Sequence, residues 1–288
     1  MTEPIKIAVI GGSGLYQMPG LTAVEERRVD TPFGEPSDAL IIGTLAGARV
    51  AFLPRHARGH RLTPTEVPYR ANIYALKSLG VERIISVSAC GSLREHLHPS
   101  DVVIPNQLVD FTKKRELTFF GRGLVAHVGV ADPYCADLSA TLADATAAAG
   151  GAVHRGGRFI TIEGPRFSTK GESHLFRAWG MDIIGMTNSP EAFLAREAEM
   201  CYAAMAHVTD YDVWHEEEEP VSVDALIATL NKNTALAQRV VADVVAQLAE
   251  EERSCECQHA LGVALITQRD LIPDAEIEKL GPIVGKYL

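Results

Sequence analysis

Short apolar runs alternate along the chain with longer segments of helical periodicity. The apolar runs predict strands at residues 5–10, 49–53, 83–88, 101–104, 159–162, 182–186 and 202–208. The helical pattern covers residues 69–79, 138–149, 190–200 and about 222–251, and Ser222 is a predicted cap for the last of these helices. Such alternation is typical of an α/β fold.

Length and composition suit one large α/β domain or two small ones. The chain has 288 residues, of which 47% are hydrophobic and 22% charged, so it can bury a sizeable core. We expect a single domain over 1–288, whose tail from about 255 to 288 is helical with breaks at Pro273 and Pro282. The net charge of −10 argues against nonspecific nucleic-acid binding, although a few local basic residues can still bind a small anion.

The lack of a recognisable targeting signal and the small number of cysteines predict a cytoplasmic protein. The first apolar run is too short for a signal peptide, and no stretch approaches the ~18 apolar residues of a membrane span. The five cysteines are few and odd in number, which suits a reducing compartment. Cys255 and Cys257 are compatible with a redox pair or with half of a zinc site. Because no second cysteine pair completes such a site, we expect two free thiols and no metal.

Polar clusters follow most of the predicted strands. They are the segments 11–14, 54–56, 88–92, 163–168, 185–188 and 209–212. In open α/β sheets, ligands bind beyond the carboxyl ends of the strands. Six clusters in that position predict one composite site more strongly than any single motif does.

Several of these clusters carry groups that suit an anion. Glycine-rich residues 11–14 let backbone N–H groups approach a phosphate, although a tight turn explains them equally well. Gln17 replaces the third glycine of a dinucleotide fingerprint, and there is no Walker lysine. Arg55 and His56 add one permanent and one titratable positive group. Together with the hydroxyls of Ser13, Ser88 and Thr187, they predict a pocket for free phosphate without a metal.

Asp210 and Asp212 form a pair of acids after a buried strand. In extended backbone their spacing places both carboxyls on one side, where like charges repel unless a metal, a shared proton or a ligand offsets them. A solvated loop is the alternative for an isolated pair of this kind. Phe167 in a neighbouring cluster is compatible with stacking on a flat ring, but its residue type alone favours a place in the core.

In the order and spacing of its motifs, the chain resembles the 5′-methylthioadenosine phosphorylases, which belong to the trimeric branch of the purine nucleoside phosphorylases. The motifs are GGSGL, the RH of LPRHARGH, SACGSLRE, TIEGPRFST, MTNSPE and HVTDYDVW, within roughly residues 5–250. The resemblance implies a single-domain α/β fold with a central mixed sheet flanked by helices. It also implies phosphorolysis of methylthioadenosine to adenine and 5-methylthioribose 1-phosphate, in purine and methionine salvage. Inorganic phosphate would be the co-substrate, without a cofactor or metal, in a cytoplasmic homotrimer or a dimer of trimers.

The resemblance also assigns residues to the site. Phosphate is expected at Ser13, Arg55, His56, Ser88, Ala89 and Thr187. The nucleoside is expected at Phe167, Ser168, Met186, Asp210, Asp212 and Val223, with His127 contributed by a neighbouring subunit. Ser168 lies where the 6-oxopurine branch has Glu. Asn188 and Ser189 replace a pair that is often more apolar, and they are expected near the sugar.

The expected mechanism divides the acid pair into two roles. Burial and a like-charged neighbour favour a protonated Asp210, which would donate to purine N7 while Asp212 accepts from the exocyclic amino group. A phosphorylase for 6-oxopurine nucleosides or methylthioinosine is the nearest alternative, and Ser168 and Asp210 argue against it. A noncatalytic nucleotide-binding regulator would not explain a separate phosphate pocket beside an acid pair. A metal-dependent hydrolase would need a close histidine cluster that these loops do not contain.

Overall fold

The structure is a computed structural model that describes residues 4–12, 14–15, 17–215 and 223–288, with only the backbone described for 223–231. The strands of the described part are β1 (Ile7–Gly11), β2 (Thr22–Arg27), β3 (Leu40–Leu45), β4 (Ala48–Pro54), β5 (Arg83–Ser92), β6 (Val102–Ile104), β7 (Gln107–Phe111), β8 (Val153–Arg155), β9 (Arg158–Ile162), β10 (Ile183–Gly185) and β11 (Cys201–Asp210). The helices are α1 (Tyr69–Ser78), α2 (Ala136–Ala148), α3 (Lys170–Ala178), α4 (Asn188–Glu197), α5 (Val223–Leu248), α6 (Asp274–Lys279) and α7 (Gly281–Val284). Two short 3₁₀ helices, Glu256–His259 and Arg269–Leu271, lie between α5 and α6.

All eleven described strands form one mixed sheet that branches at β5. The main path runs β2-β3-β4-β1-β5-β10-β9-β7, and β11 leaves it from β5 to continue through β6 to β8. β5 is parallel to β1 and β11 but antiparallel to β10. Because β5 pairs with β1 and β11 along its first half and with β11 and β10 towards its end, it joins the two arms of the sheet. The expected central mixed sheet flanked by helices is confirmed.

Both faces of the sheet are buried, as the near-continuous apolar character of its central strands predicts. Along β1, Ala8 and Ile10 belong to one core cluster, whereas Ile7 and Val9 belong to another on the opposite face. The first cluster includes residues of α1, α4 and the C-terminal tail, and the second includes α2 and the end of α5. The helices therefore cover the faces and leave the strand ends available for a site.

The predicted elements lie close to the observed ones, but several short elements were not predicted. Strands β2, β3, β7 and β8 and helix α3 are absent from the sequence prediction. β2 is exposed along nearly its whole length, so it carries no apolar signal. α4 begins at Asn188 rather than at Pro190, and a non-helical Ser189 kinks its first turn.

The C-terminal tail packs back onto the body through Glu199, which lies just before β11. Its carboxylate accepts hydrogen bonds from the backbone N–H of Leu261 at 2.9 Å and from the Tyr287 hydroxyl at 2.6 Å, and it pairs with Lys286 at 2.6 Å. Pro273 is the N-cap of α6, and a proline occupies the first turn of α7. The helical segments of the tail are thus interrupted near both prolines, and each proline lies at the start of a short helix.

Candidate active site

A cavity of about 680 Å³ lies against the second half of β5, at the carboxyl ends of β1, β4, β10 and β11. The residues expected at the site that line it are Arg55, His56, Ser88, Ala89, Phe167, Ser168, Met186, Thr187, Asp210 and Asp212. Ser13 lies outside the described residues. Val223 begins α5, but its side chain is outside the described part. The clusters that follow separate strands are thus brought to one place.

Arg55 is the strongest fixed charge at the cavity, and it is 2% exposed. Its Nε and Nη2 pair with the Glu191 carboxylate at 2.5 and 3.0 Å, and Nη2 also donates to Ser86 Oγ at 2.7 Å. Burial by itself lowers the pKa of Arg55, but the facing Glu191 carboxylate raises it above its ordinary range. The guanidinium is therefore locked in place, and Nη1, which donates to the Val87 carbonyl at 3.1 Å, has a second N–H for a ligand.

His56 is neutral in this setting, contrary to the expectation of a second positive group. Burial, and then the charge of Arg55, lower the pKa of His56 to about 4. Its Nδ1 lies 2.9 Å from the Leu62 carbonyl oxygen, so Nδ1 carries the proton. Nε2 is left as an acceptor, which suits a protonated phosphate oxygen.

Several polar atoms around the cavity have no hydrogen-bond partner among the described residues. They are Ser88 Oγ, Ser168 Oγ, Asp212 Oδ2, Asn233 Nδ2 and both ring nitrogens of His207. Buried polar groups in proteins are normally paired, so a concentration of unpaired ones needs a reason. A polar ligand that reaches each of them supplies that reason.

The acid pair packs around Gly91 of β5. A Cβ at Gly91 would come within 3.1 Å of Asp210 Oδ1 and 3.3 Å of Asp212 Cβ, so only glycine fits without a shift. Asp210 accepts from the Thr209 hydroxyl at 2.7 Å and from the Asp212 backbone N–H at 2.8 Å. Both of its oxygens thus accept a hydrogen bond from the protein.

Asp212 differs from its neighbour in its hydrogen bonding. Burial, together with the charge of Asp210, raises the pKa of Asp212, and its Oδ2 has no described partner. This shift makes Asp212, as well as Asp210, a candidate for the proton donor of the pair.

Phe167 lies at the mouth of the cavity and is 76% exposed, so the core placement that its residue type alone favoured is wrong, and it stands where the resemblance expects it. It lies two residues before Thr169, the cap of α3. Thr169 and Glu172 form a reciprocal capping box, with hydrogen bonds of 2.8 and 3.1 Å. The sequence Thr-x-x-Glu could have predicted this helix start. The cap holds the chain that presents Phe167 and Ser168 to the cavity.

Three other residues named in the sequence analysis lie outside the cavity lining. Asn188 and Ser189 are fully buried, and Tyr134 donates to Asn188 Oδ1 at 3.1 Å. Neither residue lines the cavity, although the preceding Met186 and Thr187 do. His127 is exposed and does not line the cavity of its own chain. Its backbone N–H donates to the carbonyl oxygen of Ala264 in the C-terminal tail.

Two further residues at or behind the cavity were not predicted. His207 lines it with a pKa lowered to about 4 by burial, and only its position inside an apolar strand could have signalled it. Arg115 lies behind it and donates to the carbonyls of Met186 at 2.7 Å, Ser189 at 2.6 Å and Glu163 at 2.7 Å. Arg115 thereby ties the chain after β9 to the chain after β10. Arg115 was not predicted because the sequence around it resembles that of an exposed loop.

The cysteines contradict one expectation. Cys135 and Cys201 lie beside Cys255 and Cys257, and the four Sγ atoms are all within 4.8 Å of one another. No second cysteine pair is evident in the sequence, because Cys135 and Cys201 lie far apart along the chain. None of the four lines the cavity.

The family follows from comparison with known proteins. A sequence model described as the phosphorylase superfamily matches residues 6–246. The chain belongs to the phosphorylase superfamily. It is 56% identical to the S-methyl-5′-thioadenosine phosphorylase of Koribacter versatilis (strain Ellin345), over 98% of this chain and 96% of that protein. The similarity thus extends past residue 250, into the tail that the motifs did not reach.

Solved structures of this superfamily share the same architecture. A methylthioadenosine phosphorylase from an Antarctic soil metagenomic library superposes with a TM-score of 0.94 at 51% identity, over 97% of this chain and 99% of that chain. The methylthioadenosine phosphorylase of Schistosoma mansoni in complex with adenine gives a TM-score of 0.85 at 38% identity, over 93% and 100%. The resemblance drawn from the six motifs is confirmed. No helix within the described residues is both long and apolar enough to cross a membrane.

Proposed function

We propose that this phosphorylase cleaves 5′-methylthioadenosine with inorganic phosphate, giving adenine and 5-methylthioribose 1-phosphate. The relatives named above are methylthioadenosine phosphorylases, and one of them is in complex with adenine. The cavity volume of about 680 Å³ suits a nucleoside together with a phosphate ion. The co-substrate is phosphate, and the reaction needs no cofactor or metal.

One observation carries the proposal: the anion pocket and the acid pair lie along the same strand, β5. Ser88 of β5 lies in the anion pocket, and Gly91 of the same strand lies against Asp210 and Asp212. Three residues of extended strand span roughly 10 Å. Phosphate at one end and the purine at the other therefore place the sugar between them.

Phosphate attack and departure of the purine are one displacement. A phosphate oxygen supplies the electron pair for the new bond to the anomeric carbon, and the pair of the old carbon–nitrogen bond passes to the purine. Nη1 of Arg55 and the hydroxyls of Ser88 and Thr187 hold the phosphate, and neutral His56 accepts from a protonated phosphate oxygen. The negative phosphate beneath the sugar also stabilises the positive charge that develops there.

The acid pair serves the purine. The charge that develops on the ring is neutralised by a proton at N7, and the 6-amino group needs an acceptor. The pair supplies one of each: a protonated carboxyl as donor and an ionised carboxylate as acceptor. The resemblance implies that Asp210 donates to N7 and that Asp212 accepts from the amino group, and the raised pKa of Asp212 supports a proton held between the two acids. Such general-acid help typically accelerates a reaction ~10²–10⁴-fold.

The same pair favours adenine over a 6-oxopurine. An oxo group facing the ionised carboxylate opposes two acceptors, and leaving a buried polar group unpaired costs about 1–3 kcal/mol, which corresponds to roughly 10-fold or more. Ser168 adds a hydroxyl with no described partner, in place of the Glu of the 6-oxopurine branch. Phe167 at the mouth is placed to cover the purine face.

We further propose that the protein works as a homotrimer in the cytoplasm. His127 is exposed on a segment whose neighbours include the exposed apolar side chains of Val125 and Val130. Exposed apolar groups beside a candidate site residue suit a subunit contact through which His127 completes the next subunit's cavity. Light scattering that finds an active monomer contradicts this assembly.

The reaction is tested by incubating the protein with methylthioadenosine with and without phosphate. We expect adenine release only with phosphate, together with 5-methylthioribose 1-phosphate, and much slower release of hypoxanthine from methylthioinosine. Adenine release at equal rates without phosphate would make the protein a hydrolase. A preference for the 6-oxopurine substrate would instead indicate a phosphorylase for 6-oxopurine nucleosides or methylthioinosine.

A further inference from the structure

We propose that Cys135, Cys201, Cys255 and Cys257 bind one zinc ion, which fastens the C-terminal tail to the sheet. All five cysteines of the described chain are free thiols, and these four have Sγ atoms within 4.8 Å of one another. The fifth, Cys90, lies at the cavity instead. A structural zinc site uses four such ligands in a closed tetrahedron.

The geometry of the cluster suits a tetrahedron. With Zn–S bonds of about 2.3 Å, the edges of a tetrahedral sulfur cage are about 3.8 Å long. The four sulfurs all lie within 4.8 Å of one another, and the Cys201 and Cys255 sulfurs are 3.3 Å apart, so the edge length falls between these two values. Disulfides would require only two close pairs, whereas here each sulfur lies near all three others.

The surroundings of the cluster suit anionic sulfur. Three of the cysteines are buried and Cys255 is half-buried, so bulk water is largely kept away from the sulfurs. Four thiolates and one Zn²⁺ carry a net charge of −2, and Arg196 Nη1 lies 3.5 Å from Cys257 Sγ. Cys135 is the N-cap of α2, and the partial positive charge of a helix N-terminus also stabilises a thiolate. Donors of this kind around the ligands are typical of metal sites.

Three distant segments meet at the cluster. Cys135 precedes α2, Cys201 begins β11, and Cys255 and Cys257 lie in the connection after α5. The backbone N–H of Cys135 donates to the Tyr202 carbonyl at 2.9 Å, which holds the first two segments in register without any metal. A zinc ion then adds the third segment, at the start of the tail. The soft, all-sulfur ligand set favours zinc over magnesium, calcium or manganese.

Metal analysis of the wild-type protein is the first test. We expect one zinc per chain after purification under reducing conditions. Cobalt(II) bound to the chelator-treated protein should show the absorption bands of tetrahedral thiolate coordination. Reduced protein that binds neither metal overturns the proposal. So does a native mass lower by four hydrogens, because two disulfides would then occupy the four sulfurs. Iron at full occupancy overturns the choice of zinc.

Substitutions locate the site within the chain. Cys255→Ser and Cys257→Ser should each lose zinc and lower Tm by roughly 10 °C, the shift expected when a tightly bound stabilising ion is lost. Cys90→Ala is the matched control: it removes a buried cysteine outside the cluster and should keep one zinc per chain. Zinc retained at full occupancy in both serine variants contradicts the assignment. Because the main readout is metal content, the test stays informative even if the proposed reaction is wrong.

Discussion

The two ends of β11 carry different kinds of polar cluster. Asp210 ends the strand at the cavity, and Cys201 begins it at the cysteine cluster, roughly 30 Å away in extended geometry. At the carboxyl end, unpaired polar atoms surround a cavity open to a substrate. At the amino end, four sulfurs face one another and leave no room for a substrate. One strand thus separates a region arranged for turnover from a region arranged to hold the chain together.

The sharpest way to test this division is to change the acid pair. Asp210→Asn and Asp212→Asn should each lower kcat ~10²–10⁴-fold, because an amide cannot transfer the proton that the pair holds. Tm and zinc content should stay near the wild-type values, since both acids lie at the far end of β11 from the four clustered cysteines. Kinetics and calorimetry on the same preparations check both. Wild-type turnover in either variant would show that the pair does not protonate the purine.

Arg55 should not follow this division, because its guanidinium both faces the phosphate site and stabilises the folded chain through Glu191. Arg55→Met leaves the Glu191 carboxylate buried and unpaired, and breaking such a pair costs about 3–5 kcal/mol of unfolding free energy. Denaturant unfolding measures that loss.

The double variant Arg55→Met with Glu191→Gln separates the two roles. It should recover much of the stability but not the phosphate KM, because the guanidinium that faces the anion is still absent. Recovery of both would mean that Arg55 acts only on the fold.

The pH dependence of stability should reflect the buried histidine of the cavity wall. The pKa of His207 is lowered from 6.5 to about 4, so between these values the unfolded chain binds the proton and the folded chain does not. The stabilising contribution is complete above about pH 6.5 and is lost as the pH falls toward about 4. It amounts to at most about 3 kcal/mol.

His207→Leu removes this titration from the unfolding curve. The difference in unfolding free energy between the variant and the wild type should therefore shift in favour of the variant as the pH is lowered from 7 to 4.5. A difference that is independent of pH contradicts the neutral, buried state of His207.

The smallest expected change is the loss of one hydroxyl from the anion pocket. Ser88→Ala should raise the phosphate KM roughly 10–100-fold, since a hydrogen bond to a charged group contributes about 1.5–3 kcal/mol. Because Ser88 Oγ has no described partner, Tm should not fall. Ser139→Ala is a matched control, because Ser139 Oγ is also buried and without a described partner but does not line the cavity. Equal phosphate KM values in the two variants would remove Ser88 from the phosphate site.

Sequence reasoning predicted the α/β class and most of the cavity because both depend on local signals. Apolar runs mark the buried strands, and the polar clusters follow them directly, so residues such as Ser88, Thr187 and Asp210 could be assigned to one edge. The exposure of Phe167 could not be read in the same way, because residue type indicates burial only on average. α3 was missed although its Thr169–Glu172 capping box is present in the sequence.

The chain's own pattern determined where strands end and which chemical groups stand there, because alternation and spacing act over a few residues. The tertiary structure decided the rest: that burial makes His56 neutral, that burial raises the pKa of Asp212, and that Cys135 and Cys201 meet Cys255 and Cys257. These properties depend on desolvation and on contacts between distant segments. Neither is encoded at any one position, so they become visible only once the sheet has brought those segments together.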